Sequence, residues 1–167
     1  MRKLYSFNMV TLDGFFEGPD HDISWHNWDA EMNGFAEEQL STLDALFFGR
    51  VTYEMMAGYW PTEMALKGDP LVAAAMNRIP KFVISSTLTE PEWSNTRVIK
   101  GDIAAQVTAL KQPPGGDMAL FGSAQAMATL MRLNLIDEHR VIVNPVLLGS
   151  GTPLFQAAER RRLELMD

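Results

Sequence analysis

The 167-residue sequence contains no cysteine. That excludes a disulfide framework, a thiolate nucleophile and a cysteine-based zinc site, and it fits an expected cytoplasmic location. Basic residues are scarce: 14 Lys and Arg stand against 21 Asp and Glu, a net charge of −7. Nucleic acid and anionic membrane surfaces both favour a basic face, so neither is an expected partner. No apolar run approaches membrane-spanning length. Met1-Arg2-Lys3-Leu4 puts basic residues before an apolar stretch, but Ser6, Asn8 and Thr11 interrupt it. It reads as a strand rather than a signal peptide. Three motifs are missing as well. Without G-x-x-x-x-G-K-[ST] there is no P-loop, and without G-x-G-x-x-G after the first strand there is no standard dinucleotide fingerprint. Without G-x-S-x-G, Ser123 and Ser150 are poor hydrolase nucleophiles.

Hydrophobic residues make up 47% of the chain, which places it among globular proteins, with one domain expected over residues 1–167. Lys3 to Val10 carries apolar residues on both alternations and predicts a strand buried on two faces. Trp28 to Leu43 has helical spacing. A strand then ends at Gly49, and the helix after it should stop at Gly58, ahead of Pro61. Asp69-Pro70 predicts a helix start with an acidic cap, running to about Asn77. Lys81 to Thr87, Thr96 to Ile99 and Asp117 to Phe121 read as strands, with helices after Asp102 and over Ala124 to Leu133. Asn134 suits a left-handed helix end. Arg140 to Val143 is a strand, Leu147 to Pro153 a flexible turn, and Leu163 to Met166 the beginning of a last strand. Strands alternating with helices imply an α/β fold, its sheet mostly parallel with helices on both faces. Ligands in such folds bind beyond the C-terminal strand ends.

The most informative stretch is Leu46-Phe47-Phe48-Gly49-Arg50-Val51-Thr52. A buried strand passes through one glycine into a helix whose free N–H groups attract anions, phosphate above all. Arg50 adds a permanent cation and Thr52 a hydroxyl. An ordinary turn with a surface arginine would look the same in these residues alone. Phe121-Gly122-Ser123-Ala124-Gln125 repeats the strand–glycine–helix pattern, and Ser85-Ser86-Thr87 ends its strand in hydroxyls. Thr11-Leu12-Asp13-Gly14 places a carboxylate just past the first strand. Asp13 is either a turn former or a group that orients substrate and assists proton transfer. The loop from Glu17 to Asn27 holds Asp20, His21, Asp22, Trp25 and His26. Their spacing fits no standard metal-ligand pattern, so no metal is expected. Trp25 is a candidate wall for a flat ring.

Five segments occur in one order: Leu12-Asp13-Gly14, Phe48 to Thr52, Val83 to Leu88, Leu120 to Ser123 and Pro145 to Phe155. Together they resemble the dihydrofolate-reductase superfamily, and within it the reductase domain of bacterial riboflavin biosynthesis. The resemblance covers residues 3–156. It implies a three-layer fold with a mostly parallel, mixed central sheet, and NADPH as cofactor. Gly49, Arg50 and Thr52 would hold phosphates, with Arg50 near the 2′-phosphate. Ser85, Ser86 and Thr87 would line the adenosine side. Gly122, Ser123, Ala124 and Gln125 would cover the pyrophosphate, and Thr11 to Gly14 would border nicotinamide and substrate. The family also implies a homodimer and a further antiparallel strand at the C-terminal end. Two departures matter. The Ser85–Thr87 segment has no basic residue, so NADPH preference rests on Arg50. Folate reductases grip the pterin with a carboxylate on the first helix, and neither Asn33, Glu37 nor Glu38 aligns with it.

The sequence therefore leads to an NADPH-dependent reductase of a C=N or C=O in a small polar or heterocyclic substrate. The rivals are a non-catalytic nucleotide-binding module and a true dihydrofolate reductase.

Overall fold

Six strands form one sheet in the order β5-β4-β3-β6-β1-β7. They are β1 (Leu4–Thr11), β3 (Leu43–Gly49), β4 (Lys81–Ile84), β5 (Thr96–Ile99), β6 (Asp117–Phe121) and β7 (Glu138–Asn144). A separate ribbon pairs β2 (Phe15–Glu17) with β8 (Thr152–Pro153). The helices are α1 (Ala30–Ser41), α2 (Arg50–Tyr59), α3 (Glu63–Gly68), α4 (Pro70–Arg78), α5 (Ile103–Lys111) and α6 (Ala124–Arg132). These come from a computed structural model that describes residues 1–156 and 159–166. Among the described residues, every pairing in the large sheet is parallel, and the ribbon supplies the antiparallel pairing.

Both faces of the sheet are covered, which gives three layers. On one face Leu4, Val10, Phe47, Met118 and Leu120 pack with Val107 of α5 and Ala126, Met127 and Leu130 of α6. On the other, Tyr5, Leu46, Phe48 and Val83 pack with Leu40 of α1, Tyr53 of α2 and Val72 and Met76 of α4. Alternation along β3 sends Phe47 and Phe48 into opposite cores, and both are fully buried. Each such aromatic contributes about 1.5–3 kcal/mol by burial, which is why a strand with so continuous an apolar run sits in the middle.

Because β1 pairs with both β6 and β7, and β3 with β6 and β4, all six strands end on the same side. Thr11, Gly49, Ile84, Ile99, Phe121 and Asn144 share that rim.

Local chemistry sets several boundaries differently from the sequence reading. The first helix begins at Ala30, because the Asp29 carboxylate caps it by accepting from Met32 N at 2.9 Å. Trp28 is thereby left outside the helix. Asp69 precedes α4 without a side-chain capping bond, and Pro70 at the first position satisfies the start instead. Helix α3, unforeseen in the sequence, is capped by Thr62 through Ala65 N. The expected strand at Leu163 to Met166 is absent: these residues form neither strand nor helix, and Leu165 is 90% exposed. Nor is Leu147 to Pro153 a loose turn. Gly149 N and Leu148 N donate to Asp13, Leu12 N donates to Val146 O, and Leu154 N donates to Gly14 O.

Candidate functional site

At the strand-end rim lies a cleft of about 760 Å³. Gly49, Arg50 and Thr52 reach it from the start of α2, Ser85, Ser86 and Thr87 from the end of β4, and Ser123, Ala124 and Gln125 from the start of α6. Two helix N-termini face it. That of α2 has no side-chain cap, so its first N–H groups are open. At α6 the Ser123 hydroxyl accepts from Ala126 N at 3.2 Å.

The two glycines act differently from each other and from what the motifs suggest. Gly49 has ordinary extended dihedrals, φ −81° and ψ 166°. Its glycine is needed because a Cβ there would overlap the side chain of Ser123. This close approach brings the two helix starts together. Gly122 has φ +63°, and its Cβ would stand 2.9 Å from Thr52 Cγ2 and 3.3 Å from Phe16 Cζ. A side chain at Gly122 therefore collides with Thr52 and Phe16 of the fold itself. Ser123 follows with φ +58°, a left-handed conformation rare for a residue with a Cβ. Strain of this kind, about 1–3 kcal/mol, tends to be kept at functional sites.

Electrostatically the cleft is basic at one end. Arg50 is half-exposed and pairs with Glu54 at 3.2 Å, which shares its charge. A second cation, Lys100, enters from the end of β5. No basic residue lies beside Ser85 along the chain, yet β5 pairs with β4 through Ile84 and Ile99, so Lys100 stands next to that segment. Only strand order could have revealed it.

A second cavity of about 360 Å³ adjoins the first. Phe7, Met9, Trp28, Met55, Met56, Tyr59, Trp60 and Phe121 give it an apolar wall. Phe16, Glu17, His21, Val51 and Thr52 border both cavities and form the junction. Gly122 borders this pouch rather than the cleft. His21 Nδ1 lies 2.9 Å from Glu17 Oε1, which also accepts from Thr152 Oγ1.

Three expected substrate-side residues, and Asp13 with them, lie elsewhere. Asp13 lines neither cavity. Its carboxylate accepts from Thr11 Oγ1 at 2.6 Å and from Gly149 N at 2.8 Å, and Thr11 Oγ1 in turn accepts from Phe15 N. The Thr11 bond, then the Gly149 and Leu148 amides, hold the Asp13 carboxyl below its ordinary value. A carboxylate so occupied ties the first-strand turn to the 146–149 loop and is a poor proton donor. Thr11 and Gly14 belong to the same staple. Trp25 also stays out of both cavities; its Nε1 donates to Asp22 O at 3.1 Å, and the indole packs edge-on against His26. Trp28, left outside α1 by the Asp29 cap, borders the pouch instead.

His26 borders the pouch, and its Nε2 is buried without a partner. Burial lowers its pKa, against a weaker opposing pull from Asp22, so the ring is neutral at pH 7. Among the described residues no three potential ligands cluster as a metal site, and no helix is long and apolar enough to cross a membrane.

Comparison with known proteins fits this geometry. Residues 2–167 match the RibD C-terminal domain. The chain belongs to that family. Relatives include the Bacillus subtilis (strain 168) proteins YyaP, 33% identical over 91% of this chain and 79% of that protein, and YwjB, 27% identical over 92% and 83%. Among solved structures, a Shewanella sp. PV-4 protein with a riboflavin-biosynthesis name superposes with TM-score 0.71 at 24% identity, covering 95% of this chain and 86% of that one. A Thermotoga maritima diaminohydroxyphosphoribosylaminopyrimidine deaminase/5-amino-6-(5-phosphoribosylamino)uracil reductase superposes with TM-score 0.64 at 12% identity, covering 96% of this chain and 49% of that one. The RibD C-terminal domain family thus has here the riboflavin-biosynthesis-reductase-like, dihydrofolate-reductase-like fold, with a six-stranded parallel sheet between helices.

Proposed function

We propose that the chain is an NADPH-dependent reductase of a small substrate with a C=N or C=O bond. One observation carries the reading: a polar cleft with two helix starts and two cations opens, through a shared wall, into an apolar pouch. The donor set suits a dinucleotide. Open N–H groups of α2 and the Ser123–Gly49 contact fit a pyrophosphate, Arg50 and Lys100 fit a 2′-phosphate, and the Ser85–Thr87 hydroxyls fit a ribose. When bound, the nicotinamide supplies the hydride, and one proton completes the change of C=N to CH–NH or of C=O to CH–OH.

The protein's own part is to orient and to keep water out. Phe16 and Phe121 flank the junction, and the Thr52 side chain packs against Gly122. The Glu17–His21 pair, with Oε1 and Nδ1 2.9 Å apart, stands at that junction as a route for that proton. Asp13 acts one step away, as the staple of the rim.

A folate reductase is disfavoured by α1. That helix gives the pouch Ala36, Gln39 and Leu40, while Glu37 is bonded to Asn33 Nδ2 at 3.3 Å and borders neither cavity. The test is NADPH oxidation with a panel of pterin, pyrimidine-ribitol and carbonyl compounds, beside a cofactor titration. Binding with turnover supports the reductase. Binding with no turnover of any compound favours the nucleotide-binding module, and no binding removes the proposal. We also propose a homodimer, since the edge strand β7 exposes Val141 and Val143. Light scattering that gives only the 18.7 kDa monomer at tens of micromolar would refute it.

A further inference from the structure

We infer that the pouch selects a flat, uncharged, unphosphorylated ring system that carries a hydrogen-bond acceptor, of the heteroaromatic or quinone class. The inference rests on the reductase reading only in naming that molecule a substrate.

The first support is charge. Among the described residues no lysine or arginine borders the pouch; Glu17 and Asp69 are its acids. A phosphate placed there would face like charge without a compensating cation, which is costly. The Thermotoga protein is named for a phosphoribosyl substrate, and such a compound finds no counter-ion in this pouch.

The second is shape. Trp28, Val51, Met55 and Tyr59 all border the pouch and are all substantially exposed, Trp28 at 48%. Large apolar groups gathered at a mouth mark a binding groove rather than a solvated surface. Aromatic rings and flexible methionines together accept flat rings of differing outline.

The third is the placement of polar atoms. Gln39 borders the pouch, and its Oε1 accepts from Tyr5 Oη at 2.9 Å and Arg140 Nη1 at 2.7 Å. A guanidinium only donates, so the carboxamide orientation is forced. The Gln39 NH2 group is left with no protein partner among the described residues, ready to donate to an acceptor on the ring. Tyr5 and Arg140 lock that arrangement further, the Arg140 guanidinium lying 3.7 Å above the Tyr5 ring. A second wall residue, His26, holds an orphaned buried atom, Nε2. Buried polar atoms without partners are rare, and one beside a cavity is consistent with an occupant that supplies the missing partner.

The experiment uses three probes with one ring system: lumichrome, riboflavin and flavin mononucleotide. Binding is read by quenching of tryptophan emission, since Trp28 and Trp60 border the pouch, in the absence of any nicotinamide cofactor. Lumichrome and riboflavin should bind roughly tenfold or more tighter than the phosphorylated flavin. Gln39→Glu keeps an oxygen for Arg140 and Tyr5 but removes the donor, so it should weaken lumichrome about 2- to 12-fold while the protein stays folded. Gln39→Leu should do the same if thermal unfolding is unchanged. Equal or tighter binding of flavin mononucleotide overturns the inference. So does the absence of quenching by all three, or unchanged lumichrome affinity in Gln39→Glu. Lumichrome binding without NADPH binding would remove the reductase reading and leave this inference standing.

Discussion

The cleft and the pouch share a wall, and they are built on opposite physical principles. The cleft's polar groups come largely from the backbone, through helix N-termini, glycine contacts and a strained Ser123, with short hydroxylated side chains and the cations Arg50 and Lys100. The pouch is made of large side chains, Trp28, Phe7, Met55, Tyr59 and Trp60, around a few oriented polar atoms. A backbone-built site is tied to the fold and tolerates little change. A site built of side chains is free to vary without disturbing the sheet. The contrast suits an enzyme that keeps one cofactor and changes substrate.

The sharpest break between the two should come from glycine. Gly122→Val puts a branched side chain at φ +63° against Thr52 and Phe16. Overpacking costs about 1–3 kcal/mol and the left-handed backbone about 1–2 more. At ~2–4 °C per kcal/mol for a chain this size, thermal unfolding of the ligand-free protein should fall by roughly 4–20 °C. A pouch substitution such as Met55→Leu should leave it unchanged. An unaffected valine variant would mean that the backbone at the junction is not held as described.

Next comes charge in the cleft. Glu54 and exposure discount Arg50, and Lys100 shares its work. Arg50→Ala alone should weaken NADPH roughly 3- to 10-fold, and Arg50→Ala with Lys100→Ala together about 10- to 150-fold, the scale of a lost charge-assisted contact. Pouch ligands should not notice either change. Arg50→Lys should recover only part of the loss, because an ammonium lacks the planar fork. Calorimetric titration of each variant decides this.

A smaller effect is expected at Asp13, which was the sequence's candidate for catalysis. Asp13→Asn should lower turnover by less than about tenfold, below the 10²–10⁴ typical of acid–base assistance. Its signature should be faster hydrogen exchange at the Leu148 and Gly149 amides. A loss of turnover in the larger range, with exchange unchanged, would restore a catalytic role.

The smallest is a pH effect on stability. Burial depresses both His26 and His139, with Arg161 adding at His139. The unfolded chain then binds protons more readily, so stability is full above the ordinary histidine value of 6.5 and is lost as pH falls below it. The melting temperature should decline from pH 7 to 5.5, and His26→Gln should flatten the decline.

These two regions also differ in how far they could be read in the sequence. Gly49 to Thr52 and Ser123 to Gln125 of the cleft sit at strand–glycine–helix junctions, which local pattern marks in the sequence itself. Lys100 is not so marked, because its position depends on β5 pairing beside β4. The pouch was read poorly. Trp25 was the candidate ring wall, yet it borders neither cavity, while Trp28, left outside α1 by the Asp29 cap, borders the pouch. Gln39 carries no signal of its own in the sequence, since its orientation is set by Tyr5 and Arg140, 34 and 101 residues away. Asp13 was visible as a special residue, but a turn and an active site place a carboxylate after a strand in the same way. The Gly149 and Leu148 amides that separate these readings come from the far end of the chain.

The most direct test of the whole account is a paired titration of the wild-type protein with NADPH and NADH at low and high salt. The account predicts that NADPH binds more tightly than NADH, and that raising salt erodes this advantage because Arg50 and Lys100 are partly exposed cations. Equal affinities at both salt concentrations, or no binding of either, would contradict the assignment of the cleft to a 2′-phosphorylated dinucleotide.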